Sequence, residues 1–223
     1  MKILDELNIQ VNAEELFEKA FTHGSYLNNN NVSEDYELLE FLGDSVLSLI
    51  VSEYLFRKYP NESEGTLTKL RANYVCQAAL IYYCKDTRLD EYLKIDINEN
   101  KITPNEVLAI DADIVESFIG ALFLDQGIEK VKEFASKYIF NHIDNEKIFF
   151  HDYKSKIKEY CDANNLKVDY EVVFETGIPH DKTFIIKIVI NGNEYGRGTG
   201  KNKKEAQQNA ALVALKKIGI VHE

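Results

Sequence analysis

The chain has 223 residues, 45% hydrophobic and 28% charged, a balance that suits folded globular domains and excludes an intrinsically disordered polymer. Its net charge of −11 is unevenly spread: residues 1–150 hold 14 Lys and Arg against 27 Asp and Glu, and residues 151–223 hold 12 against 10. A first part at −13 and a second at +2 predict two modules with different tasks, and exclude an RNA chaperone or ribosomal structural component that is basic throughout.

The N-terminal "MKILDELNIQ" places acids where a signal peptide needs an apolar run. No later stretch approaches the roughly 18 apolar residues of a membrane span. The three cysteines, Cys76, Cys84 and Cys161, are odd in number and lack CxxC spacing, which argues against a disulfide framework or a zinc site and fits a reducing compartment. We expect a soluble cytoplasmic protein without a membrane partner.

The first 150 residues read as successive helices. "DSVLSLIVSEYLFRKYP" sets Val46, Leu47, Ile50, Val51, Tyr54 and Leu55 on one stripe, with Pro60 beyond its end. "SEGTLTKLRANYVCQAALIYYC" opens on Ser63 as an N-cap and repeats Leu67, Leu70, Tyr74 and Val75. After a polar loop, "KIDINENKITPN", comes a third helix, "NEVLAIDADIVESFIGALFLDQG", stopped by Gly127, and then a fourth, "IEKVKEFASKYIFNHI". From His151 the rhythm changes. "DYKSKIKEYCDANN" is a short amphipathic helix, followed by strands in "YEVVFET" and "KTFIIKIVI". Asn191-Gly192 predicts a type I′ hairpin turn into "EYGRGTG", and Asn202 with Glu205 predicts the capped start of "KKEAQQNAALVALKKIG". The predicted architecture is multidomain: an all-α domain, then a small α+β domain of order α-β-β-β-α, with the boundary near "FFHDYK".

The chemistry concentrates in "YELLEFLGDSVL", Tyr36 to Leu47. Glu37, Glu40 and Asp44 share one helical face at i, i+3 and i+7, threaded through apolar residues. The third helix adds Asp113 and Glu116, an i, i+3 pair among Ile114, Val115, Phe118 and Ile119. If the two helices pack together, Glu40, Asp44, Asp113 and Glu116 converge into an all-oxygen site suited to Mg²⁺. Spacing alone leaves a solvated acidic face as the alternative.

"YELLEFLGDSVL" resembles the signature of bacterial-type ribonuclease III. "FTHGSYLNNN", "SEGTLTKLRANYV" and "DADIVESFIGALFLDQG" resemble the stretches around it in that family. "DYKSKIKEY", "GIPHDKTF" and "GRGTGKNKKEAQQNAALVAL" resemble the double-stranded-RNA-binding domain that bacterial members carry behind the nuclease. The order and spacing agree along essentially the whole chain. The resemblance implies an endonuclease and dimerisation domain at 1–148 and a double-stranded-RNA-binding domain at 151–220. It implies Mg²⁺, which Mn²⁺ can replace, held by Glu40, Asp44, Asp113 and Glu116, with Asp44 and Glu116 as the catalytic pair. Glu37 and Glu64 match supporting acids, and Phe41 matches the apolar residue that plugs into a partner subunit of a homodimer. Ser155, Lys158 and Glu159 on one helix, Pro179 and His180 in a loop, and Lys201, Lys203 and Lys204 at a helix start match the RNA contacts.

The implied activity is hydrolysis of double-stranded RNA to 5′-phosphate and 3′-hydroxyl ends, in rRNA and mRNA processing. The alternative is a dimeric RNA-binding regulator that does not cut. Five departures from the family pattern stand out, one of them the acidic stretch "DINENKITPNEVLAI" where many relatives have a Gly-rich, basic loop. Gly24 and Leu38 replace common arginines, Gln207 replaces a lysine, and Asp111 adds an acid beside Asp113. Gly24, Leu38 and Gln207 remove positive charge near RNA, so weaker and more salt-sensitive binding is expected.

Overall fold

In the computed structural model, which describes residues 1–30, 35–96, 104–177 and 182–221, the chain divides into two units, residues 1–150 and 151–223. The first is built on helices: α1 (Lys2–Glu6), α2 (Glu14–Ala20), α3 (Gly24–Asn30), α4 (Glu37–Lys58), α5 (Glu64–Tyr74), α6 (Gln77–Thr87), α7 (Pro104–Gln126), α8 (Ile128–Tyr138) and α9 (Phe140–Asp144). Two of these, α4 and α7, form the central pair. The stripe read on α4 is the buried one: Val46, Leu47, Ile50, Val51 and Leu55 enter the same core as Ile114, Val115, Phe118, Ile119 and Leu122 of α7. Each such side chain contributes about 1.5–3 kcal/mol through burial, so this seam dominates the domain. α7 begins at Pro104, where a missing N–H costs a helix nothing, and ends at Gly127, whose φ of +78° turns the chain towards α8. No helix among the described residues is long and apolar enough to cross a membrane.

Two predicted helices are broken. The segment from Ser63 splits into α5 and α6 at Val75 and Cys76, where Cys76 is extended (φ −75°, ψ 158°). The Asn73 amide explains the break. Its Oδ1 accepts the backbone N–H groups of Phe149 and Phe150 (2.8 and 2.9 Å), and its Nδ2 donates to the Lys147 carbonyl (2.9 Å). That clamp lies more than 70 residues away in sequence, beyond the reach of local periodicity. The fourth segment divides at Ile139, where Phe140 turns in to stack on Tyr54 at 4.1 Å. Most of the predicted polar loop, residues 97–103, lies outside the described residues.

The second unit is α10 (Tyr153–Ala163), β1 (Val168–Thr176), β2 (Thr183–Ile190), β3 (Asn193–Gly200) and α11 (Lys203–Ile218), an antiparallel sheet of order β1-β2-β3. The strand read in "KTFIIKIVI" alternates from Phe184 to Ile188: Phe184, Ile186 and Ile188 are buried and face Gly200, Gly198 and Gly196 of β3, while Ile185 and Lys187 are half-exposed; the alternation ends at Val189, buried like Ile190, where the register with β3 shifts. A Cβ at Gly198 would lie 2.1 Å from the Ala210 nitrogen, so glycine lets α11 sit directly on the sheet. Asn191 and Gly192 both have positive φ (48° and 80°), as a type I′ turn requires. The Asn202 side chain accepts the Glu205 N–H at 2.9 Å, while Glu205 reaches back to Lys201 N rather than to the capping residue itself.

Candidate metal centre and nucleic-acid interface

The acidic centre depends on how closely α4 and α7 approach. A Cβ on Gly43 would lie 1.7 Å from the Glu116 carbonyl oxygen, and one on Gly120 would lie 2.2 Å from that of Leu39. The two backbones therefore touch where each helix carries a glycine, and the carboxylates one turn earlier are carried together. Carboxylate oxygens of Glu40, Asp113 and Glu116 lie within 4.8 Å of one another, each half-buried. The sequence reading passed over Gly43 and Gly120, although an isolated glycine inside a helical pattern signals close packing.

The electrostatics are those of like charges gathered out of water. Burial, then the charges of Asp44, Glu40 and Asp113, push the Glu116 carboxyl up to about 8. Glu40 is raised by burial and by Asp113, Glu37 and Asp44. Asp113 is raised by burial, partly offset by a hydrogen bond from the Tyr36 hydroxyl (3.1 Å) and by His23. Every group acting on Glu116 is a carboxylate, so its charge is uncompensated by the protein. An all-oxygen donor set with excess negative charge fits a hard divalent cation.

Of the other acids, Asp44 is exposed and lies outside the close trio, though its charge ranks next after burial in raising Glu116. Glu37 is exposed in the first turn of α4; Glu64 is exposed at the start of α5 and accepts from the Thr68 hydroxyl at 3.0 Å. Asp111 neither joins the centre nor faces water. It is buried, with Lys85 Nζ 2.9 Å from its Oδ2, a close ion pair without the alignment of a hydrogen bond.

Phe41 is 76% exposed, and with Leu38 (73%), Leu49 (60%) and Phe56 (70%) it forms an apolar stripe on the outer face of α4. Four large side chains in water along one helix leave apolar surface uncovered in the isolated chain. Leu38 thus extends that stripe.

In the second unit, Lys201, Lys203 and Lys204 are exposed at the start of α11. Lys158 and Glu159 are exposed on α10, whereas the Ser155 hydroxyl donates to the Asp152 cap at 2.6 Å. Pro179 and His180 lie outside the described residues. Gln207 is not simply a lost cation. Its Oε1 accepts from Lys154 Nζ at 2.6 Å, which brings an ammonium to that part of α11. The sequence reading missed Lys154 because its partner sits 53 positions away.

A helical domain with a half-buried carboxylate cluster compatible with a metal ion, followed by an α-β-β-β-α module with lysines at a helix start, is the arrangement of a two-domain protein that acts on nucleic acid. Comparison with known proteins agrees along the chain. Residues 13–143 match the family model described as ribonuclease-III-like, and residues 153–218 match the double-stranded RNA binding motif. Ribonuclease 3 of Bacillus cereus is 42% identical over 219 residues, covering 96% of this chain and 89% of that protein. Ribonuclease 3 of a Geobacillus species is 44% identical, covering 92% and 85%. Among solved structures, one of the nuclease domain of ribonuclease III from Campylobacter jejuni, described as flexible in the region involved in dimer formation, is 34% identical with a TM-score of 0.56, covering 62% of this chain and 94% of that one. The chain belongs to the ribonuclease III family, the double-stranded-RNA-specific endoribonucleases.

Proposed function

We propose that the protein is a cytoplasmic, homodimeric endoribonuclease that cuts double-stranded RNA with Mg²⁺, leaving 5′-phosphate and 3′-hydroxyl ends, in the maturation of rRNA and mRNA. The observation that carries this is the meeting of Glu40, Asp113 and Glu116 from two helices in a ribonuclease-III-like domain. Those three residues, with Asp44 beside them, hold the ion; Mn²⁺ has the same preference for oxygen donors and replaces it. A divalent cation held by these carboxylates would supply Lewis-acid activation of water and offset charge on the phosphodiester. Glu116, whose carboxyl is pushed up to about 8 by burial and by the charges of Asp44, Glu40 and Asp113, would give up that proton to serve as a ligand. Glu37 and Glu64 act as supporting acids. A regulator that does not cut is not favoured, because a retired centre has no need of uncompensated, half-buried carboxylates held together. Incubation of a labelled duplex RNA with Mg²⁺ or EDTA tests the proposal. Mg²⁺-dependent products that accept ligation at a 5′-phosphate support it, whereas duplex that stays bound and whole in both refutes it.

The exposed stripe on α4 supports the dimer. Two copies related by a two-fold axis bury Phe41, Leu38, Leu49 and Phe56 and present one centre to each antiparallel strand. Phe41→Ala is expected to shift the protein towards monomer in sedimentation and lower cleavage with it. A dimer of undiminished strength rules out the plug role.

RNA is held by the second unit, where Ser155, Lys158 and Glu159 face the minor groove, Pro179 and His180 face the next one, and Lys201, Lys203 and Lys204 meet phosphate at a helix N-terminus. Replacing Lys203 and Lys204 together by alanine is expected to weaken duplex binding and lower the slope of log K against log salt by about 1–2. An unchanged slope means that phosphate is met elsewhere.

A further inference from the structure

Tyr36 is the residue of the acidic stretch to which neither the reaction nor the RNA contacts give a task. It is 5% exposed, and its hydroxyl donates to Asp113 Oδ2 at 3.1 Å across 77 positions of sequence. Nothing in packing demands that hydroxyl: a phenylalanine ring would fill the same space. The residue is also tethered along its backbone. Its N–H donates to the Thr22 carbonyl at 3.1 Å, and its carbonyl accepts the Glu40 N–H at 2.9 Å, so the same residue that holds Asp113 also starts the helix turn carrying Glu40.

The tether itself is braced. Thr22 forms a parallel bridge with Lys94, the His23 N–H donates to the Lys94 carbonyl at 2.9 Å, and the His23 ring lies against Tyr36 with centroids 5.8 Å apart. The ring's rotation is set by Ser25. Its backbone N–H donates to His23 Nδ1 at 3.1 Å, and its hydroxyl lies 2.8 Å from the same atom while accepting the Asp96 N–H at 3.1 Å. A phenol packed against a ring held at its Nδ1, and fixed at its own backbone, is aimed at Asp113.

The geometry points to Tyr36 as a positioning residue of the metal centre: its hydroxyl fixes the rotation of the Asp113 carboxylate, leaving the remaining lone pairs turned towards Glu40 and Glu116. The inference rests on the reading of Glu40, Asp113 and Glu116 as ligands. Hydrogen-bond partners that orient a metal ligand typically change affinity by about 10–100-fold when removed.

The test uses the full chain, stripped of metal, as wild type, Tyr36→Phe and Glu116→Gln. Mn²⁺ binding is followed by the EPR signal of the free ion, with Mg²⁺ as competitor, and thermal unfolding is recorded in EDTA. Tyr36→Phe is expected to weaken Mn²⁺ binding about 10-fold or more. Its cleavage should be restored by raised Mg²⁺, with KM for duplex RNA unchanged. Mn²⁺ affinity equal to wild type overturns the inference, and so does a lower melting temperature in EDTA with unchanged affinity, which would make the hydroxyl structural only. Wild type and Glu116→Gln binding Mn²⁺ alike, or neither binding it, would instead overturn the ligand reading itself, whatever Tyr36→Phe does.

Discussion

Glu116→Gln is expected to lower duplex cleavage on the order of 10³-fold or more while leaving duplex affinity within about three-fold of wild type. The substitution keeps the size of the side chain and removes one carboxylate of the trio, whereas the double-stranded RNA binding motif lies in the separate second unit. A gel that shows uncut but fully shifted duplex meets the expectation; parallel loss of cutting and binding contradicts the ligand assignment. The same variant carries a second signature without metal. Glu116 has an ordinary carboxyl near 4.5 in the unfolded chain and about 8 in the folded one. Between those limits the folded state binds the extra proton, so the contribution of this group to stability is greatest below about 4.5 and is lost as pH rises towards 8. Wild type in EDTA should therefore melt lower at pH 8 than at pH 5, and the slope should lessen in Glu116→Gln. Added Mg²⁺ should restore wild type alone, since the ion replaces the proton.

Gly43→Ala is expected to destabilise the first unit by about 3 kcal/mol or more, a fall in melting temperature of roughly 6–12 °C for a domain of this size. The added methyl would meet the Glu116 carbonyl oxygen at 1.7 Å, a backbone atom that cannot swing aside. Relief requires α4 and α7 to separate, which draws Glu40 away from Asp113 and Glu116, so cleavage should fall even below the melting temperature. Gly65→Ala is the control. Its Cβ would have only the Ser63 hydroxyl nearby, at 3.8 Å, in an exposed first helical turn, so it should be neutral or stabilising by up to about 1 kcal/mol. Equal effects of the two alanines, measured by thermal unfolding, would remove close approach as the reason for glycine at position 43.

Much of the molecule was legible in the sequence because its patterns are local. The stripe from Val46 to Leu55 has the helical period, the alternation from Phe184 to Ile188 has that of a strand, and Asn191-Gly192 and Asn202 carry their turn and cap in their own chemistry. The acids of the centre were legible as residues on helical faces, and the resemblance paired those faces. What stayed hidden depends on partners far along the chain. Asn73 breaks a helix through bonds to residues 147–150, Phe140 breaks another by stacking on Tyr54, Asp111 finds Lys85, and Lys154 finds Gln207.

By itself, then, the sequence determined the two modules, their element types and the supply of carboxylates and lysines, since periodicity and charge are properties of neighbours. Only the tertiary structure decided which carboxylates meet. Contact between helix backbones at Gly43 and Gly120 brings Glu40 to Asp113 and Glu116, leaves Asp44 one turn aside, diverts Asp111 to a lysine and sets the Tyr36 hydroxyl on Asp113. Side-chain chemistry is written along the chain, but a shared proton or cation needs oxygens a few ångströms apart, and that distance is set by packing.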